Sequence, residues 1–157
     1  MKLDVPIHLR WADLDAYNHV NNVEIMRLFE EARVRAFWKR EPGESELDDG
    51  MALVEASAGA ETMTLIGSQR VEYLLPVDYR QRPIIVRMWI GALGGASMDV
   101  FYELRDSAEE DSAVYARALT TIVLVTAATG RPRRIGAEER AAWGRYLEAP
   151  LTFRGRE

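Results

Sequence analysis

The chain has 157 residues, 48% of them hydrophobic and 29% charged, with a formal charge of -5. That is the size and composition of one globular domain, long enough to bury roughly 68–70% of the surface its unfolded chain exposes, and it excludes collagen, coiled coil and disorder. An acidic balance argues against general nucleic-acid binding; the absence of cysteine removes disulfides, thiolate zinc sites and a cysteine nucleophile; and two histidines, His8 and His19, are too few for a His-rich metal site.

Residues 5–11 (VPIHLRW) alternate, predicting a first strand with Val5, Ile7, Leu9 and Trp11 on one face. The Asp- and Asn-rich stretch 12–22 follows, a composition that favours turns and caps. The spacing of Ile25, Phe29, Ala32 and Ala36 then predicts a largely buried helix from about Val23 to about Lys39. Asn21 is its N-cap, Glu24 resembles the acidic half of a capping box, and Glu31 and Arg35 stand at i,i+4 on the wetter side.

Residues 40–50 read as a polar surface loop, and 51–60 fit a short helix, an irregular segment or a strand start. From there the period changes to two, predicting strands near 62–75, 83–92, 97–105 and 113–126. Gly94 and Gly95 make a hairpin turn, and 106–112 a polar hairpin loop. A short helix is expected over 137–147, and 148–157 is expected to be poorly ordered. This order predicts an α+β domain over residues 1–157, with its core in about 5–135 and a long helix packed on a curved antiparallel sheet. No run approaches the ~20 apolar residues of a membrane helix. The first residues, MKLDVPIHLRW, lack the apolar core of a signal peptide, so a cytoplasmic protein is expected.

The chemically dense stretch is D-L-D-A-Y-N-H-V-N-N, residues 13–22, between a strand end and a helix start. A helix N-terminus has unpaired N–H groups that can hold the oxyanion of an acyl-transfer reaction. One carboxylate plus backbone donors suits thioesters, because a thiol of pKa about 8.5 leaves with little help from a general acid. Ester or amide cleavage typically needs an activated nucleophile and a base.

R-W-A-D-L-D-A-Y-N-H-V-N-N (10–22), E-E-A-R (30–33), R-V-E-Y-L-L-P (70–76) and the long strand before T-G-R-P (129–132) resemble the hot-dog-fold acyl-CoA thioesterases of the 4-hydroxybenzoyl-CoA thioesterase type. The resemblance covers most of residues 5–135. It implies a long helix wrapped by an antiparallel sheet of about five strands, and a homodimer or homotetramer with active sites at the dimer interface. It implies an acyl-CoA as substrate, no metal, and no cofactor beyond the coenzyme A of the substrate itself.

The resemblance makes Asp15 the catalytic carboxylate, as general base or nucleophile, and puts the carbonyl-polarising amide near Asn22. It makes His19 a third catalytic residue, lining the pocket and orienting Asp15 or the thioester, and leaves Asp13 as a structural residue of the turn. Each residue also has a plainer reading: Asp15 as an Asx-turn carboxylate, His19 as a packed imidazole, Asn21 and Asn22 as caps. Two other functions stay open: an acyl-thioester hydratase or dehydratase on the same fold, and a non-catalytic acyl-CoA binding module.

One departure stands out. The prototype of that family carries a basic cluster at the turn between its third and fourth strands, which grips coenzyme A phosphates, whereas residues 92–97 here are A-L-G-G-A-S. Positive charge for a polyanion must come from elsewhere, with Arg80, Arg82, Arg87, Arg131, Arg133 and Arg134 as candidates. The acyl pocket is expected between the helix and the 51–66 segment, where Met51, Leu53, Met63 and Leu65 are candidate lining residues.

Overall fold

A computed structural model of the chain describes residues 1–55 and 57–155. Five strands form one antiparallel sheet: β1 (Leu3–Ile7), β2 (Thr62–Tyr73), β3 (Ile84–Leu93), β4 (Ser97–Arg105) and β5 (Val114–Thr126), in the order β1-β3-β4-β5-β2. The helix α1 (Asn22–Phe37) lies on the inner face, and a short α2 (Ala137–Gly144) closes one end. This is the α+β, hot-dog arrangement that the resemblance implied. None of the described helices is long and apolar enough to cross a membrane.

The strands from β2 onward stand within two residues of where the alternation places them. β1 does not. It ends at Ile7, and Trp11 opens a single 3-10 turn through Asp13 with its indole 72% exposed. The alternation of 5–11 breaks because Asp13 is fully buried and draws Arg10 into a charged cluster, which ends the extended run.

α1 starts as expected: the Asn21 side chain accepts a hydrogen bond from Val23 N at 2.9 Å. The capping box does not form, because Glu24 turns to Arg27 (2.7 Å) and Arg10 (3.3 Å). Glu31 and Arg35 do not pair either, since Arg35 donates to the Pro6 carbonyl at 2.7 Å. The helix buries Ile25, Leu28, Phe29, Ala32, Ala36 and Phe37, the stripe expected of a helix on a sheet. It packs closest to β1 and β3. The inner face beside β2 is therefore less covered by the helix, and two cavities open along that seam.

The sheet curves through two irregularities, between Ile66 and Ser68 in β2 and between Ile90 and Ala92 in β3. At the second, the Phe101 ring lies where a Cβ on Gly91 would come within 2.2 Å, so only glycine fits. On the outer face a row of alternating charges crosses all five strands in register: Asp4, Arg87, Glu103, Arg117 and Glu72.

The expectation of disorder after residue 147 is corrected over 148–155; residues 156–157 lie outside the described residues, as does residue 56 of the ambiguous 51–60 segment. The tail crosses the outer face of the sheet. Trp89 donates to the Ala149 carbonyl (3.0 Å), Phe153 stacks on Phe101, and Arg154 N donates to Glu72 (2.7 Å). An aromatic contact and ordered backbone bonds hold it, signals that a polar tail sequence hides. The core also reaches beyond residue 135, because Trp143 and Tyr146 are fully buried.

Candidate active site

Asp15 sits in a tight turn closed by the bridge between Leu14 and Val20. Asp15 N donates to the His19 carbonyl at 2.8 Å and Asn18 N to the Asp15 carbonyl at 3.1 Å. Asn18 takes a left-handed conformation (φ 62°), which asparagine tolerates better than most residues. The turn is tied down on both sides: Asn21 N donates to the Asp13 carbonyl and Val20 N to the Val77 carbonyl, each at 2.8 Å.

Beneath the turn lies Asp13, fully buried. Its carboxylate accepts from Arg10 N (2.7 Å), the Arg10 guanidinium (2.8 and 3.0 Å) and Arg27 (3.1 and 3.2 Å). Burial alone pushes this carboxyl up, but the hydrogen bonds from Arg10 and the charges of Arg27 and Arg10 outweigh it and hold Asp13 below the usual carboxylate value. The structural role expected for Asp13 is what its contacts describe.

The Asp15 side chain does two things at once. Its Oδ1 accepts from Tyr17 N (2.8 Å) and, at 3.4 Å, from His19 N, which is the Asx-turn geometry. Its Oδ2 accepts no hydrogen bond from the described residues. The turn bonds thus orient the carboxylate and leave one oxygen free.

Asp15, His19 and Asn22 all line one cleft of about 430 Å³, together with Ile25 and the Tyr73–Val77 segment that follows β2. Asn22 is the first residue of α1, and its backbone N–H has no partner among the described residues, as expected of a first-turn amide. His19 is half-buried and faces Asp78 (Nε2 to Oδ1 3.6 Å) rather than Asp15. Tyr73 is the residue that sequence reasoning left without a role, although it stands inside R-V-E-Y-L-L-P. Its hydroxyl donates to the Asn22 carbonyl at 3.1 Å, and desolvation pushes the phenol up, so it stays a donor at the helix start.

Four of the six candidate arginines are already engaged. Arg80 and Arg82 both meet Asp106, which the Tyr115 hydroxyl and Arg80 hold down at about 2. Arg87 pairs with Asp4 and Glu110, and Arg133 with Glu139. Arg131 and Arg134 are exposed and meet no carboxylate among the described residues. They belong to the segment that packs on the Gly94–Gly95 turn, where Ile135 N donates to the Gly95 carbonyl (2.8 Å) and Arg140 to the Gly94 carbonyl (2.7 Å). The chain after β5 thus sets Arg134, next to Ile135, beside the turn, while Arg131 stands at the end of β5 against Thr126.

The expected acyl-lining residues divide. Met51 is fully buried core, Met63 and Leu65 are exposed on β2, and Leu53 borders a separate surface hollow. The segment does reach a second cavity, of about 240 Å³, but through Val54, Thr64 and Ile66. Along β2 the expectation missed by one position, and one position in a strand is the opposite face.

Comparison with known proteins agrees with this arrangement. A relative from Bacillus subtilis (strain 168), the uncharacterized protein YsmA, is 30% identical over 97 residues, 61% of this chain and 56% of that protein, so the match spans little more than half of the relative's length. The crystal structure of the PA5185 protein from Pseudomonas aeruginosa strain PAO1 superposes with a TM-score of 0.76 at 25% identity, covering 94% of this chain and 93% of that one. A thioesterase from Thermus thermophilus, solved with coenzyme A and Zn, superposes with a TM-score of 0.68 at 23% identity, covering 95% and 96%. The family model of the thioesterase-like superfamily matches residues 9–143, which takes in every residue of the cleft, and the chain belongs to that superfamily.

Proposed function

We propose that the protein is a cytoplasmic acyl-CoA thioesterase of the 4-hydroxybenzoyl-CoA thioesterase type, with Asp15 as general base or nucleophile. The observation that carries this reading is the convergence, in one cleft, of a carboxylate with a free oxygen and the unpaired amide of a helix start. The thioester carbonyl sits against the Asn22 amide, where the helix N-terminus favours negative charge on the carbonyl oxygen. The free Asp15 oxygen then either draws a proton from the water that attacks the carbonyl carbon, or attacks that carbon itself to give a mixed anhydride, which water cleaves to the free acid and the Asp15 carboxylate. The coenzyme A thiolate leaves without an acid, and no cofactor beyond that carried by the substrate is required. His19 borders the cleft and shapes entry to it.

The thioesterase from Thermus thermophilus solved with coenzyme A supports the choice of a coenzyme A thioester. The free edge of β2 supports a dimer. It is a sheet edge twelve residues long, and Met63, Leu65 and Ile66 on it are between 41% and 47% exposed. Such an edge is a template for pairing with a second copy. Antiparallel pairing about a two-fold axis sets the Thr62 end of one β2 beside the Tyr73 end of the other. Thr62 is opposite Thr126, whose N–H donates to the Arg131 carbonyl, so the partner subunit's Arg131 is carried toward the Asp15 cleft.

The test is thiol release from short, medium, long and aryl acyl-CoAs. Wild type hydrolyses at least one class, and Asp15→Asn lowers kcat by at least about 10²-fold at unchanged thermal stability. Absence of turnover on every thioester sinks the hydrolase reading, and an equally active Asp15→Asn sinks the carboxylate. Loss of the double bond from an enoyl-CoA without thiol release marks a hydratase, and saturable binding without either marks a binding module.

A further inference from the structure

We infer that the acyl pocket ends on Arg33, and that the preferred substrates are acyl groups whose far end carries a carboxylate. This rests on the thioesterase reading and names its acyl class. Among the described residues Arg33, Arg87 and Arg105 are the three buried arginines, 8%, 7% and 5% exposed. Arg87 is compensated by Asp4 (2.7 and 3.0 Å), Glu110 (2.9 Å) and the Ala108 carbonyl (2.7 Å). Arg105 has Glu103 and the carbonyls of Glu109 and Glu110, although its Nε is buried without a partner. Among the described residues Arg33 has only a long bond to the neutral Tyr102 hydroxyl (3.4 Å) and a loose approach to Glu30 (3.7 Å), whose side chain is 67% exposed. A buried guanidinium is costly to desolvate unless its donors are met. Here Nε has no partner among the described residues and Nη2 only the loose approach of Glu30, and neither is among the fully enclosed nitrogens, so both open onto free space.

Arg33 lines the second cavity, of about 240 Å³, whose other walls include Val34, Phe37, Met98 and Ile122. Glu30 lies on its rim. A cavity with apolar walls and one under-compensated cation complements an amphipathic anion, and a carboxylate matches the planar guanidinium fork better than any neutral group. Both cavities lie on the same seam between α1 and β2. The Asp15 cleft uses Asn22, Ile25 and Tyr73; the Arg33 cavity uses the next turns of α1 together with Thr64 and Ile66. Arg33 is eleven residues past Asn22, about 16 Å along the helix axis. Its long side chain leans back toward the helix start, which shortens that span. A thioester held at Asn22 can therefore run its acyl chain along the seam to the guanidinium.

Two measurements test this. First, adipyl-, suberyl- and sebacyl-CoA are compared with hexanoyl-, octanoyl- and decanoyl-CoA. Wild type favours the best ω-carboxyl substrate over its methyl-ended counterpart by at least about tenfold in kcat/KM, the low end of what one buried charged contact contributes. Arg33→Met removes that preference by loss of the ω-carboxyl substrate, and Arg33→Lys keeps part of it. Second, hexanoate raises the thermal midpoint of wild type and of Arg33→Lys but not of Arg33→Met, and hexanamide raises none of them. A wild-type preference for methyl-ended chains overturns the inference. So does an Arg33→Met protein with an unchanged substrate ratio, which would mean that the guanidinium meets a second copy of the chain instead. If no thioester is cleaved, the hydrolase reading fails, and the hexanoate measurement still decides whether Arg33 takes a carboxylate.

Discussion

Replacing Asp13 tests whether the turn that carries Asp15 is held electrostatically. Asp13→Ala removes a carboxylate with no exposed surface that accepts one backbone and two guanidinium partners. The bond from Arg10 N is charge-assisted and contributes about 1.5 kcal/mol. The two ion pairs contribute less than buried ones, about 0.5 kcal/mol each, because the Arg10 side chain is 56% exposed and Arg27 keeps Glu24. The sum, about 2–3 kcal/mol, lowers the thermal midpoint by roughly 5–10 °C for a domain of this size. The effect also has a pH signature. Asp13 is held below its unfolded value near about 3.9, so its stabilisation is complete above that value and is lost as pH falls through the lower folded value. Scanning calorimetry of wild type, Asp13→Ala and the isosteric Asp13→Asn should show the full gap at neutral pH, shrinking as the pH falls below the ordinary carboxylate range. Equal midpoints at neutral pH, or a gap that does not shrink in acid, refute the reasoning.

Two further outcomes follow from the proposed assembly. Small-angle scattering should report a dimer or a tetramer built from it, and Leu65→Lys on the exposed β2 edge should shift the population toward monomer with loss of turnover; a wild type that is monomeric throughout removes the shared-site account. Arg131→Ala with Arg134→Ala should raise KM for acyl-CoA about tenfold while leaving kcat and turnover of a short pantetheine thioester unchanged, as loss of phosphate contacts in uniform binding requires; an equal loss on both substrates would place these arginines elsewhere.

Much of the fold was legible because its strands alternate and its helix carries one wide apolar stripe. The candidate site was legible for a different reason. Asp15, His19 and Asn22 fall within eight residues, and a strand-to-helix turn has few ways to arrange them. What stayed hidden depended on distant partners. The exposure of Trp11 follows from Asp13, whose burial depends on Arg27 fourteen residues later. Arg33 reads as one more charge in E-E-A-R, and only the sheet behind it, with Tyr102, reveals it as an interior cation. The tail contacts Trp89, Phe101 and Glu72, which no local pattern connects to residues 149–154.

The row Asp4, Arg87, Glu103, Arg117 and Glu72 gives every strand one letter of a spelling that reads correctly in a single alignment. Sliding β4 along β3 by two positions would set Arg87 opposite Arg105 or Phe101 and leave Glu103 facing a residue of the wrong kind. A chain collapsing with β4 misaligned thus meets like charge or an apolar neighbour at the first wrong position, and the back of the sheet selects the one alignment on which the packed inner face depends.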